Sequence, residues 1–206
     1  MRKNLVNWLA AAAIGLTASL AMAGPGPEEL TKQLTEEVLA AVEADTEIRA
    51  GDTEKAIRLV EERVLPHFNF GHMTALAVGR DWRGASPEQR QALTEQFRTL
   101  LVRTYSNALT QYDNQTIVFK PFRGRPDDRD AQVRTEIRQP GAQAIQMDFS
   151  LEMVGENWKV YDVVVAGVSL VTNYRASFSQ QVRQTGIDGL IESLKVKNRD
   201  MVAEKS

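Results

Sequence analysis

Near residue 115 the spacing of apolar side chains changes from about four to two, and this change limits the folds open to the chain. Before it, Leu30, Leu34, Val38 and Val42 mark one stripe of a helix, and Ala56, Ile57, Val60 and Val64 mark a second. The second helix is expected to stop at Leu65, because a proline at 66 disfavours the α conformation in the residue before it. Asn69 is placed to cap a short helix through Met73, Ala75, Leu76 and Val78, ended by Gly79. Ser86-Pro87-Glu88-Gln89 is a capping box with proline at the first helical position. It predicts a long helix carrying Leu93, Phe97, Leu100, Leu101, Thr104, Tyr105 and Ala108 on one broad face.

Beyond residue 115 the alternation is that of strands. Ile117 and Phe119 belong to the first, Val133, Thr135 and Ile137 to the second, and Ile145, Met147, Phe149, Leu151 and Met153 to the third. Gly155-Glu156-Asn157 reads as a tight turn into a fourth, Trp158 to Val165. Connections this short imply an antiparallel meander, since parallel crossovers need a dozen residues or more. Leu170, Tyr174, Phe178 and Val182 then return to helical spacing; Gly186 interrupts, and Ile187, Leu190, Ile191 and Leu194 continue. The expected fold is α+β: a curved antiparallel sheet of about four strands, with N-terminal and C-terminal helices packed on one face. One domain over residues 24–196 is expected, with 197–206 as a frayed polar tail.

Arg2 and Lys3, the apolar run from Leu5 to Leu20, and Ala21-Met22-Ala23 form an export signal over residues 1–23, cleaved after Ala23. Its removal takes the formal net charge from −2 to −4, which gives no basis for binding nucleic acid or an anionic membrane surface. The chain has no cysteine, so thiolate metal sites, cysteine nucleophiles and disulfide exchange are excluded. An exported body without staples points to a Gram-negative periplasm.

Chemistry-bearing patterns are sparse. The two histidines, His67 and His72, are five residues apart and do not share a helix face, and no H-E-x-x-H, G-x-S-x-G or phosphate loop occurs. Asp148 alternates out of phase with Met147 and Phe149 and should face away from the apolar side. Asp162 is less constrained, because Val160 and the run Val163 to Val165 make both faces of its strand apolar. A buried Asp162 in a cavity would suit proton abstraction from a small apolar substrate, as in an isomerase or lyase. A periplasmic adaptor that binds no ligand is a further alternative. Phe68, Phe70, Met73, Phe97, Tyr105, Phe119, Met147, Phe149, Met153, Tyr174 and Phe178 are enough apolar material either to fill a core or to line a cavity.

Several stretches carry a resemblance. They are Leu65-Pro66-His67-Phe68-Asn69-Phe70, Met73-Thr74-Ala75-Leu76-Ala77, Trp82-Arg83, Ser86-Pro87-Glu88-Gln89-Arg90 and Phe97 through Tyr105. Trp158 through Val163, Gly167 through Arg175, Phe178 and Gly186 through Ile191 follow in order. The chain resembles the MlaC family, also called the toluene-tolerance auxiliary family. The resemblance implies that the helices and sheet enclose an apolar cavity. It implies a monomeric periplasmic shuttle, not an enzyme and without a cofactor, whose cargo is a glycerophospholipid with acyl chains inside and headgroup mostly outside. It implies handover between an outer-membrane lipoprotein–porin complex and an inner-membrane ABC transporter complex with its MCE-domain subunit, which maintains outer-membrane lipid asymmetry. The expected acyl-chain lining is Phe97, Leu101, Tyr105, Ile145, Met147, Phe149, Leu151, Val163, Val165, Val168, Tyr174 and Phe178. Arg80, Arg83, Arg98 and Arg175 are the expected contacts for headgroup phosphate or acidic partner surfaces.

Overall fold

The computed structural model describes residues 24–125 and 127–203. The export signal expected over residues 1–23 lies outside the described residues. Helix α1 spans Pro27–Ala44, with Pro27 at its start and Glu28 and Glu29 in the first turn, where negative charge offsets the helix dipole. Asp45 caps the single turn α2 (Thr46–Arg49) through the Glu47 and Ile48 N–H groups, and Asp52 caps α3 (Thr53–Leu59) through Lys55 N–H. Where a stop at Leu65 is expected, α3 instead widens into a π-helical turn, Val60–Val64, then tightens into a 3₁₀ turn, Leu65–His67. Pro66 is tolerated there because it sits in the first turn of that short helix, where its missing N–H leaves no bond unmade.

Asn69 caps α4 (Phe70–Val78) through His72 N–H, and Gly79 ends it at φ 69°. A 3₁₀ segment, Gly79–Gly84, leads to α5 (Pro87–Tyr105), which begins with the complete capping box of Ser86 and Gln89. A further 3₁₀ segment, Ser106–Gln111, follows. The last helix, α6, spans Arg175–Ala203 and is broken at Gly186, whose φ of 74° and ψ of −178° are not helical. The polar tail expected from 197 is therefore helix as far as Ala203. Asn198 is buried and donates to Gln96 O at 2.9 Å, and Met201 packs on the helical core. These two residues follow Leu194 by four and seven, so a buried stripe continues through a stretch whose overall polarity hides it.

Helices α4, α5 and α6 make one core of their own, in which Phe97, Tyr174 and Phe178 meet at ring-centroid distances of 5.3, 5.4 and 5.5 Å. The sheet is an antiparallel meander of β1 (Thr116–Phe119), β2 (Asp130–Arg138), β3 (Ile145–Val154), β4 (Asn157–Val165) and β5 (Val168–Ser169) in sequential order. The fifth strand goes beyond the expected four. It turns back on β4 through Ala166 and Gly167, both at positive φ, and pairs Val165 with Val168. Register pairs Ile117 with Ile137, Ile137 with Ile145, Thr135 with Met147 and Val133 with Phe149, so these side chains share one face. A bulge at Ser150/Leu151 leaves Tyr161 unopposed and puts Val160 on the same face as Val163. Helix α1 covers this face through Leu30, which packs with Val133, Leu151 and Val160. The helical layer is stitched to β4 by Asn69 N–H, which donates to Val160 O at 2.8 Å.

Candidate functional site

Beyond the Leu30 contact, α1 and the inner face of β1–β4 do not close on one another. They leave an apolar hollow of about 530 Å³, and a second apolar lobe of about 290 Å³ adjoins it. The first lobe is walled by Leu34, Val38, Leu39 and Val42 of α1 and by Ile117, Ile137, Ile145, Met147, Phe149 and Val160 of the sheet. The second lies beneath the π-helical turn and α5, against Val60, Val64, Leu65, Phe70, Met73, Leu101, Tyr105, Val163 and Leu170. Val38, Val64, Phe68, Leu109 and Met147 line both lobes and stand at the boundary between them. Together the lobes fall in the size range of ligand pockets.

Polar atoms at the walls are turned away or neutral. The hydroxyls of Thr31 and Thr35 donate at 2.7 Å to carbonyls of their own helix. Burial pushes the Tyr105 phenol up to about 12, with Tyr174 adding to the effect, so Tyr105 stays uncharged. The buried Ser106 hydroxyl in the second lobe has no hydrogen-bond partner among the described residues. The open end of the first lobe is rimmed by Gln111, Tyr112, Gln115, Gln139 and Gln143, beside Ile145, which is 45% exposed.

Of the twelve lining residues expected from sequence, Ile145, Met147 and Phe149 wall the first lobe, and Leu101, Tyr105, Val163 and again Met147 wall the second. Phe97, Tyr174 and Phe178 do not, because they are consumed in the aromatic cluster of the helical core. Leu151 is fully buried in packing against α1, and Val165 and Val168 belong to the β4–β5 turn, where Val168 is exposed. Neither lobe is walled by Arg80, Arg83, Arg98 or Arg175. All four are exposed on the helical layer, and Arg175 Nε donates to Leu76 O at 2.9 Å. Sequence reasoning left out the α1 wall, although the stripe of four-spaced residues from Leu30 to Val42 had signalled a face needing cover.

The candidate base does not reach the hollow. Asp162 lies on the opposite face of β4, opposite Ser150, where it accepts from Ser169 Oγ at 2.6 Å and from Val163 N–H at 2.8 Å. Ser169 Oγ in turn accepts from Val171 and Thr172 N–H, so the carboxylate anchors a turn. Burial raises its pKa above the ordinary carboxylate range, against the lowering effect of those bonds. Asp148 also faces away from the hollow, as its phase in β3 requires, and accepts from Gln146 Nε2 at 2.7 Å. His72 Nδ1 lies 2.7 Å from Glu152 Oε1, and its ring stacks on Tyr161. Among the described residues no cluster of three or more histidine, aspartate or glutamate side chains is placed to hold a metal ion. No described helix is long and apolar enough to cross a membrane.

Helices laid over one face of an antiparallel meander, around an apolar hollow with a neutral rim, make this an α+β protein of the cavity-bearing kind. The model of the MlaC protein family matches residues 32–196, and the chain belongs to that family. It is 27% identical over 198 residues to the intermembrane phospholipid transport system binding protein MlaC of Haemophilus influenzae, covering 93% of this chain and 92% of that one. It is 26% identical to the toluene tolerance protein ttg2D of Pseudomonas putida, covering 91% of this chain and 85% of that protein. The solved structure of the phospholipid-binding protein from Ralstonia solanacearum, in complex with a phospholipid, is similar at a TM-score of 0.80. That protein is 33% identical, over 86% of this chain and 99% of its own.

Proposed function

We propose that this protein carries glycerophospholipids through the periplasm, sheltering acyl chains in the two-lobed hollow and leaving the headgroup at the amide-rimmed mouth. The observation that carries this reading is the hollow itself, walled mainly by apolar side chains, with glutamines grouped at its mouth. A chain of about sixteen carbons in water costs roughly 13 kcal/mol at about 0.8 kcal/mol per methylene, so transit without shelter is negligible. Burying a charged headgroup would cost more than it returned, which is why the polar end stays outside. The protein acts as a carrier and performs no chemistry on its cargo.

Membership of the family supports the remaining parts of the reading. Export by a cleavable signal over residues 1–23 delivers residues 24–196 as one lipid-carrier domain, working as a monomer. Cargo passes between an outer-membrane lipoprotein–porin complex and an inner-membrane ABC transporter complex through its MCE-domain subunit, and the traffic maintains outer-membrane lipid asymmetry. Release requires that a partner favour a state with α1 lifted from the sheet, since the burial that holds the chains otherwise opposes their exit. Organic extraction of freshly purified protein, followed by mass spectrometry, should release glycerophospholipid in fixed proportion to protein. Protein that yields none, and takes none up from phospholipid vesicles, is not a carrier.

A further inference from the structure

The mouth of the first lobe adjoins a polar cleft of about 580 Å³, and Gln111 and Tyr112 line both. The cleft therefore lies beside the mouth, next to where the polar end of a molecule seated in the hollow would emerge. Its walls are Glu43, Thr46 and Arg49 from the end of α1 and from α2, and Thr110, Asp113 and Asn114 from the segment before β1. Tyr112 joins the two spaces: its ring packs on the cluster of Val42, Ile48 and Ala56, and its hydroxyl donates to Glu43 Oε1 at 2.6 Å. Asn114 holds the turn at φ 55°, a conformation asparagine adopts more readily than most residues.

The charges in the cleft are not neutralised by one another. Arg49 Nη1 makes a long bond of 3.4 Å to Glu43 O, and among the described residues no ion pair within 4 Å engages Arg49, Glu43 or Asp113. The named rim residues of the apolar mouth bear no formal charge, so discrimination by charge falls to the cleft. One cation beside two anions is a poor match for a headgroup that is only negative, which would satisfy Arg49 and be repelled by Glu43 and Asp113. A headgroup with both a phosphate and an ammonium meets both signs. Resting on the carrier reading, we propose that this cleft is a headgroup subsite selecting zwitterionic amino-phospholipids, with phosphate toward Arg49 and ammonium toward Glu43 and Asp113.

The test loads lipid-stripped protein from vesicles of equal parts phosphatidylethanolamine and phosphatidylglycerol, re-isolates it, and quantifies the extracted lipid by class. Phosphatidylethanolamine should be enriched about two- to fivefold, the size that exposed ion pairs support. Glu43→Gln combined with Asp113→Asn should return the ratio to that of the vesicles. The amide that replaces the Glu43 carboxylate keeps an oxygen to accept from the Tyr112 hydroxyl, which spares the fold. Arg49→Gln should lower uptake of both lipids alike and leave their ratio as in the wild type. Uptake in the vesicle ratio, enrichment of phosphatidylglycerol, or a double variant that keeps the wild-type preference each overturns the subsite and leaves the carrier standing. Wild-type protein that takes up neither lipid overturns the carrier reading and the subsite with it.

Discussion

Met147 and Phe97 show how residues of similar apolar character serve different ends. Met147 lines both lobes, where extra volume displaces cargo and not protein. Phe97 is fully buried in a solid aromatic cluster. Met147→Trp should cut co-purifying lipid severalfold while changing the urea midpoint little. Phe97→Ala should cost about 3–5 kcal/mol of stability and, in the fraction that folds, leave lipid occupancy near normal. Extraction and urea unfolding on both variants check the contrast, and the reverse pattern would show the lining to be misplaced. Asp162 has a separate signature. Its folded pKa is raised by burial, so the folded protein binds its proton more tightly than the unfolded chain does. That contribution to stability is complete below the unfolded value of about 3.9 and is lost as pH rises through the folded value. Urea unfolding across the acidic range should therefore show the destabilisation by Asp162→Asn shrinking as pH rises. A difference independent of pH, or one that grows, contradicts the burial argument.

At the scale of elements, the caps and breaks that sequence chemistry specifies locally are in place. The Ser86–Gln89 box starts α5, Asn69 starts α4 and Gly79 ends it. The two caps each depend on a side chain within three residues of the backbone group it serves, and Gly79 on its own positive φ, so no distant contact is needed to form them. Gly186 is the sharpest case. Its φ and ψ lie in a region open to essentially no residue but glycine, although a Cβ there would meet no neighbour. Gly186→Ala should therefore lower stability by about 1–3 kcal/mol through backbone strain alone, read as a shift in the denaturant midpoint with unchanged slope. A neutral result would mean that the two halves of α6 can merge into one helix. The π-helical turn at Val60–Val64 had no such local signal. Its wider spacing places Val60 and Val64 over the second lobe, and the need to fit that wall is a tertiary matter.

For the molecule as a whole, the hollow makes stability conditional on cargo. A ligand that binds only the folded state stabilises it by about 2.7 kcal/mol at a hundredfold excess over Kd. Loaded protein should melt higher than stripped protein, and hydrogen exchange should slow most in α1 and the strands beneath it, because these elements lack filled contacts across the empty lobe. Equal melting of both forms would mean that lipid, if present, is not held inside.

The sequence alone determined the order of elements, the antiparallel meander and which face of each strand is apolar, because period and turn chemistry are read from near neighbours. It also placed Ile145, Met147 and Phe149 on the inner face of β3 by alternation. Whether an apolar side chain fills space or borders it was decided only in three dimensions. Phe97, Tyr174 and Phe178 find one another across helices far apart in the chain, and Leu151 is covered by α1. The α1 stripe packs at its ends through Leu30 and Val42 but borders the hollow between them. Burial and lining draw on the same residue types, and the difference between them is the distance to the opposite wall, a quantity set by how the layers stack.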